Sequence, residues 1–312
     1  MRALLVVNTA ATATTRKTRD VLLRALASDL KVDVAETTHR GHAAELGTQA
    51  LHDGVDVVVA LGGDGTINEV VNGLLVDGPS PHVPALAVVP GGSTNVFSRA
   101  LGQSRDPVEA TADVLDALRR GRSRRISLGR ADGRWFTFTA GFGFDADVVK
   151  RVERLRGRGR VSTASLYIRA AVTQFSLDRN RWRPPMTIAV PGQQAQSGFF
   201  LCIASNTAPW TYLGTRPVNL LPQACFSSGL DVVALRRTGT ARMLWHVSRA
   251  FRGREPMRHP TVSTGSDVPE VSLRSTRPMA VQVDGDYLGE QETLLLRSVP
   301  GALRVVVPGP MP

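Results

Sequence analysis

The segment Ala3 to Val7, ALLVV, is wholly apolar and predicts a strand buried on both faces. After a Thr-rich loop, apolar residues recur at Val21, Leu22, Ala25, Leu26 and Leu30, which is the spacing of one helical face and predicts a helix over Thr18 to Leu30. The same reading gives strands at Val32 to Ala35, Val55 to Leu61 and Ala85 to Val89, and helices at His42 to His52 and Ile67 to Leu75. Strand and helix alternating over about 90 residues predict a parallel sheet covered by helices. Helices over Asn95 to Leu101 and Pro107 to Arg120 complete an α/β domain at residues 1–125, and GRSRR at Gly121 to Arg125 breaks the pattern.

Beyond that break the texture changes to short β-rich runs at Trp135 to Thr139, Met186 to Val190, Gly198 to Ala204, Leu230 to Leu235, Val281 to Val283, Thr293 to Leu296 and Leu303 to Val307. Separated by Gly, Pro and Ser, they predict an antiparallel β-sandwich domain over residues 126–312, interrupted by a helix at about Ser165 to Phe175. The last strand is a candidate to pack back on the first domain.

Composition adds one constraint. A formal net charge of +11, carried almost wholly by Arg, calls for an anionic partner: nucleic acid, nucleotide phosphates or an acidic lipid surface. Aromatic residues make up only 5%, which argues against the stacking platforms of RNA-binding modules, so no nucleic acid is expected. Cys202 and Cys225 are too few for a disulfide framework, and the opening MRALLVVNTA is too short an apolar run for a signal peptide, so a cytoplasmic protein is expected.

The chemistry concentrates at VVVALGGDGTINEVVNGLL, where a buried strand ends at Leu61 and a helix begins near Ile67. A glycine turn at the carboxyl end of a parallel strand lets backbone N–H groups approach an anion, and the helix N-terminus adds a favourable dipole. Asp64 beside phosphate oxygens would be repelled unless Mg²⁺ lay between them, so Asp64 implies a metal-bound nucleotide. The plainer alternative is a tight turn with Asp64 as a helix cap. The next strand ends in a second turn, Gly91, Gly92, Ser93, Thr94 and Asn95, and the loop Asn8 to Thr15 leaves the first strand on the same edge. Three loops there form the crevice in which open α/β folds bind ligands.

Taken together, GGDGTINEVVNGLL, VVPGGSTNVFSRALG, GFGFDADVV and VQVDGD resemble the diacylglycerol kinase catalytic family, with sphingosine kinases as close relatives, over nearly the whole chain. The resemblance implies an ATP- and Mg²⁺-dependent lipid kinase that phosphorylates diacylglycerol. By position it implies that Asn8, Thr9, Thr37, Gly62, Gly63, Asp64, Gly65, Thr66, Asn68, Glu69, Gly92, Ser93 and Asn95 hold the nucleotide. It further implies that Asp286, in Asp284-Gly285-Asp286, accepts the hydroxyl proton, with Asp284 able to share that role, and that Asp64 acts through the nucleotide's Mg²⁺. Thr9 stands where the family has Pro, Asp286 where it has Glu, and Ser227-Ser228-Gly229 where bacterial relatives carry a metal-linked DDG segment.

Other readings remain: a long-chain base kinase, an NAD kinase, which shares GGDGT, and a nucleotide-binding regulatory protein without turnover. The GFGFDA run formally matches the dinucleotide fingerprint, but it lies outside the alternating region. Arg151, Arg154, Arg156, Arg158 and Arg160 precede the apolar SLYIRAAVTQF, a pattern of either a docking site on the anionic inner face of a membrane or a solvated loop before a core helix. The sequence leaves monomer or homodimer open.

Overall fold

The computed structural model describes residues 1–11, 14, 16–158, 163–178, 180–252 and 259–309. The chain divides into two compact units, Met1–Ser127 with Pro300–Pro312, and Leu128–Val299.

The first unit runs β1 (Arg2–Val7), α1 (Arg16–Ala27), β2 (Lys31–Glu36), α2 (His42–His52), β3 (Val57–Gly62), α3 (Asp64–Leu74), β4 (Ala85–Pro90), α4 (Val96–Ala100) and α5 (Pro107–Arg119). The strands pair in parallel in the order β2, β1, β3, β4. Central β3 and β4 are buried along their whole length, because helices cover both faces of a parallel sheet. Leu5, Val59, Leu61, Val89, Leu22, Leu26 and Val114 form one core. The GRSRR run leads into β5 (Ser123–Ala131), which is exposed at Ser123 to Arg125 and buried from Ile126 to Gly129.

The second unit adds β6 (Arg134–Phe136), β7 (Thr139–Gly143), α6 (Phe144–Arg156), α7 (Ala164–Leu177), β8 (Met186–Ala189), β9 (Gln196–Ser205), β10 (Thr211–Leu213), β11 (Arg216–Val218), β12 (Leu230–Arg236), α8 (Thr240–Phe251), β13 (Val262–Val268), β14 (Glu270–Val283) and β15 (Asp286–Val306). Its ladders are antiparallel, β13 to β12 to β9 to β7 to β14 to β15. One core holds Phe136, Phe142, Phe199, Leu273 and Leu294. A second holds Phe144, Val152, Phe175, Phe200, Ile203 and Val233, and half-buried Met243 packs against it, so α6, α7 and α8 share one core. Helices α6 and α8 are additions to the sequence reading. The end of β15 belongs to the first unit, where Val305 pairs with Leu86 of β4.

Candidate functional site

At the carboxyl edge of the parallel strands the loops are tied to one another by backbone. Asn8 N–H donates to the Leu61 carbonyl (3.0 Å), Thr37 N–H to the Val7 carbonyl (2.9 Å) and Gly91 N–H to the Gly62 carbonyl (2.8 Å). The Asn8 amide spans the gap, with Nδ2 donating to Thr66 Oγ1 (2.8 Å) and Oδ1 accepting from Ala10 N–H (3.0 Å). A Cβ on Gly92 would lie 2.7 Å from Gly63 Cα, so the two glycine turns stack backbone on backbone. Asn95, in the left-handed region, closes its own turn by accepting from Gly92 N–H (2.9 Å) and donating to the Gly92 carbonyl (2.7 Å).

Two features of this edge fit a phosphate. Helix α3 begins after Gly63 without a side-chain cap, so its N-terminal turn presents N–H groups that the helix itself cannot satisfy, together with the positive end of its dipole. Thr14 Oγ1 is buried with no hydrogen-bond partner, against Gly91, where an added Cβ would come within 2.6 Å of it. Sequence reasoning placed Thr14 in a loop and missed its buried hydroxyl, for which the sequence carries no signal.

The acids of GGDGTINE have a different job from the one expected. Asp64 Oδ2 and Oδ1 accept from the N–H groups of Val96 (3.0 Å) and Phe97 (3.1 Å), capping α4. Glu69 Oε1 and Oε2 accept from Gly41 (2.9 Å) and Ala43 (3.3 Å) at the start of α2. Each carboxylate is compensated by the N-terminus of a neighbouring helix, so Asp64 needs no Mg²⁺ to sit beside a phosphate. Among the described residues no three His, Cys, Asp or Glu converge on a metal position. Asn68 is buried within α3, where its carbonyl and amide oxygens accept from Asn72 Nδ2. Thr9 and Ser93 are exposed.

In the second unit, Asp284 and Asp286 separate by environment. Asp284 is buried at positive φ and accepts four hydrogen bonds: from Thr137 N–H (2.7 Å) and Oγ1 (2.8 Å), Phe138 N–H (3.0 Å) and Thr139 N–H (3.0 Å). Burial pushes its carboxyl up and the donors pull it back, the former prevailing. This carboxylate is a tie between β14 and the β6–β7 turn. Asp286 is half-exposed.

A relay links that turn to GFGFDA. Gly285 N–H donates to Gln282 Oε1 (2.9 Å), and Gln282 Nε2 donates to Asp145 Oδ2 (2.8 Å). Burial pushes the Asp145 carboxyl up to about 6, against the lowering effect of the Gln282 bond. Here the glycines serve packing rather than phosphate. A Cβ on Gly141 would lie 2.2 Å from Asp145 Oδ2, and one on Gly143, at φ +88, would lie 2.4 Å from the Phe200 carbonyl oxygen. Gln282 carried no sequence signal, because Asp145, the carboxylate it donates to, lies far away along the chain.

Residues 2–131 match the diacylglycerol kinase catalytic domain, and residues 139–307 match the YegS C-terminal NAD kinase beta sandwich-like domain. The chain belongs to the diacylglycerol kinase family. As a member of this family it is a lipid kinase. It is similar to a diacylglycerol kinase of Bacillus subtilis (strain 168), 29% identical over 259 residues that cover 81% of this chain and 78% of the relative. A solved diacylglycerol kinase from Bacillus anthracis str. Sterne shares the fold, with TM-score 0.70, 19% identity, and 98% of this chain and 96% of that chain covered. An NAD kinase from Archaeoglobus fulgidus in complex with ATP is a more distant fold relative of this lipid kinase, at TM-score 0.51 and 11% identity over 98% of this chain and 93% of that one.

Proposed function

We propose that the chain transfers the γ-phosphoryl group of ATP to the free hydroxyl of diacylglycerol, forming phosphatidic acid and ADP. The observation that carries the nucleotide half is the uncapped N-terminus of α3 stacked against the Gly91–Gly92 turn, with the buried Thr14 hydroxyl beside it. The turns at Asn8, Thr9, Thr37, Gly62, Gly63, Gly65, Thr66, Gly92, Ser93 and Asn95 form the phosphate cradle, while Asp64 and Glu69 hold its walls by capping α4 and α2. Mg²⁺ bound to the triphosphate supplies further charge neutralisation. Catalysis rests on positioning and charge compensation, since phosphoryl transfer asks for little covalent work from the protein.

Asp286 accepts the proton of the attacking hydroxyl. Asp284 is unsuited to that task, because it is buried and both of its oxygens are engaged by donors of the Thr137 to Thr139 turn. The lipid is met at an anionic membrane surface. Exposed Arg154, Arg156 and Arg158, and Ile168 and Val172 on the outer face of α7, suit such contact, while Arg160 lies outside the described residues. The same helix buries Ala170 and Phe175 in the core, as the core-helix reading of that segment expects. No helix among the described residues is long and apolar enough to cross a membrane.

The test is transfer of labelled γ-phosphate from Mg-ATP to diacylglycerol, sphingosine, monoacylglycerol and NAD presented in parallel. Diacylglycerol is expected to be labelled, and Asp286→Asn to lower kcat by about 100-fold or more while ATP affinity holds. Labelling of NAD alone, or full activity in Asp286→Asn, would overturn the reading.

A further inference from the structure

Helix α8 packs one side inward and leaves apolar side chains exposed on another. Met243 packs inward on the core shared with α6 and α7. Leu244 is 60% exposed and Trp245 39%, and exposed Arg242 and Arg252 flank them. Arg249 lies over the Trp245 ring, 5.0 Å from its centroid. From Arg236 to Arg252 the chain carries Arg236, Arg237, Arg242, Arg249 and Arg252, and no Asp or Glu. Arg237, just ahead of the helix, lies 5.3 Å over the ring of Trp182, which is 48% exposed. Beside the start of α8, Arg242, Trp245, His246 and His259 line an open hollow of about 630 Å³.

An exposed Leu and exposed Trp rings among arginines place apolar surface and positive charge in water together. A second copy of this face would meet it cation to cation, which disfavours self-association. A phosphate backbone alone leaves Leu244 without a partner. An anionic bilayer answers all three features: acyl chains take Leu244, the interface takes the Trp rings, and headgroup phosphates take the arginines.

We propose that the outer face of α8, with Trp182, is a docking surface for an anionic lipid bilayer. This rests on the lipid-kinase reading for its purpose, but not for its test.

The full chain is sedimented with vesicles of phosphatidylcholine mixed with phosphatidylglycerol, and with phosphatidylcholine alone, without nucleotide. Binding is expected only to the anionic vesicles and is weakened by salt. Leu244→Ser with Trp245→Ser, and separately Arg242→Gln with Arg249→Gln, are each expected to weaken it about tenfold or more. Both double variants keep their activity on a short-chain diacylglycerol dissolved as monomers, which also reports that they fold. Vesicle binding unchanged in both variants overturns the proposal, as does no binding by the parent chain. So does tighter binding to single-stranded DNA than to vesicles, or a dimer that the Leu244 and Trp245 changes dissociate. If the vesicle results stand while the dissolved lipid is never phosphorylated, the kinase reading fails and the docking surface survives.

Discussion

Two places in this chain share one local grammar: a strand, a glycine turn, then a helix with Asp in its first turn. At Gly62 to Thr66 the turn is half-exposed, and Asp64 is neutralised by the N–H groups of the next helix. At Gly141 to Ala146 the turn is buried, and Asp145 has one side-chain donor and a raised pKa. The first arrangement leaves the N-terminus of its helix without a side-chain cap. The second fills the equivalent space with its own carboxylate and with the Phe200 backbone. What distinguishes a phosphate turn from a packing turn is therefore what occupies the volume a glycine vacates.

That contrast can be broken at the glycines. Gly143→Ala must place a Cβ at positive φ against a backbone carbonyl, so a loss of roughly 3–5 kcal/mol is expected in denaturant unfolding. A variant as stable as the parent would mean that the second turn has room for a ligand after all.

The two aspartates give the next largest effect. The Asp145 carboxyl at about 6 lies above its unfolded value near 3.8, so the folded protein holds a proton that the unfolded chain gives up. The resulting stability is fully present below about pH 4 and is lost as pH rises through about 6, a change on the order of 3 kcal/mol. Asp145→Asn should flatten this part of the stability profile between those pH values. A parent profile with no such decline would remove the distinction between Asp145 and Asp64.

The smallest stability effect is expected at Gly63→Ala. Gly63 has φ −88 and ψ −179, which any residue adopts, and a Cβ there would meet Gly92 Cα at 3.2 Å, tight but not prohibitive. A loss of about 1 kcal/mol or less in stability, with ATP affinity down about tenfold, is the expected signature of a turn kept bare for a ligand. Equal losses in both would make it a packing turn like the other.

The first unit was legible because its apolar runs are long and its punctuation is clear: the expected strand ends at Val7, Leu61 and Val89 lie within one residue of the observed ends at Val7, Gly62 and Pro90. Helix α6 was hidden because GFGFD begins as a strand and continues into an arginine-rich segment. Helix α8 carries an amphipathic pattern of the kind that marked the first helix, and it was passed over among the short β-rich runs around it. The site was legible as far as its backbone goes. Asp64 and Glu69 were assigned by sequence to the nucleotide, but their partners stand some thirty residues away, at Val96 and Gly41, and a cap supplied from another helix leaves no local pattern. Asp284 and Asp286 differ only in burial, which neither composition nor spacing encodes.

The Val305–Leu86 pairing brings the end of β15 to the edge of β4, with Val306 in the core of the first unit. During vectorial synthesis the ribosome releases β1 to β4 long before residue 305, so a nascent first unit carries an exposed strand edge until the rest of the chain has emerged. Such an edge invites pairing with other chains. A fragment cut at Ser127 keeps that liability permanently, and expression of the nucleotide-binding half alone should require residues 300–307 to be supplied, fused or in trans.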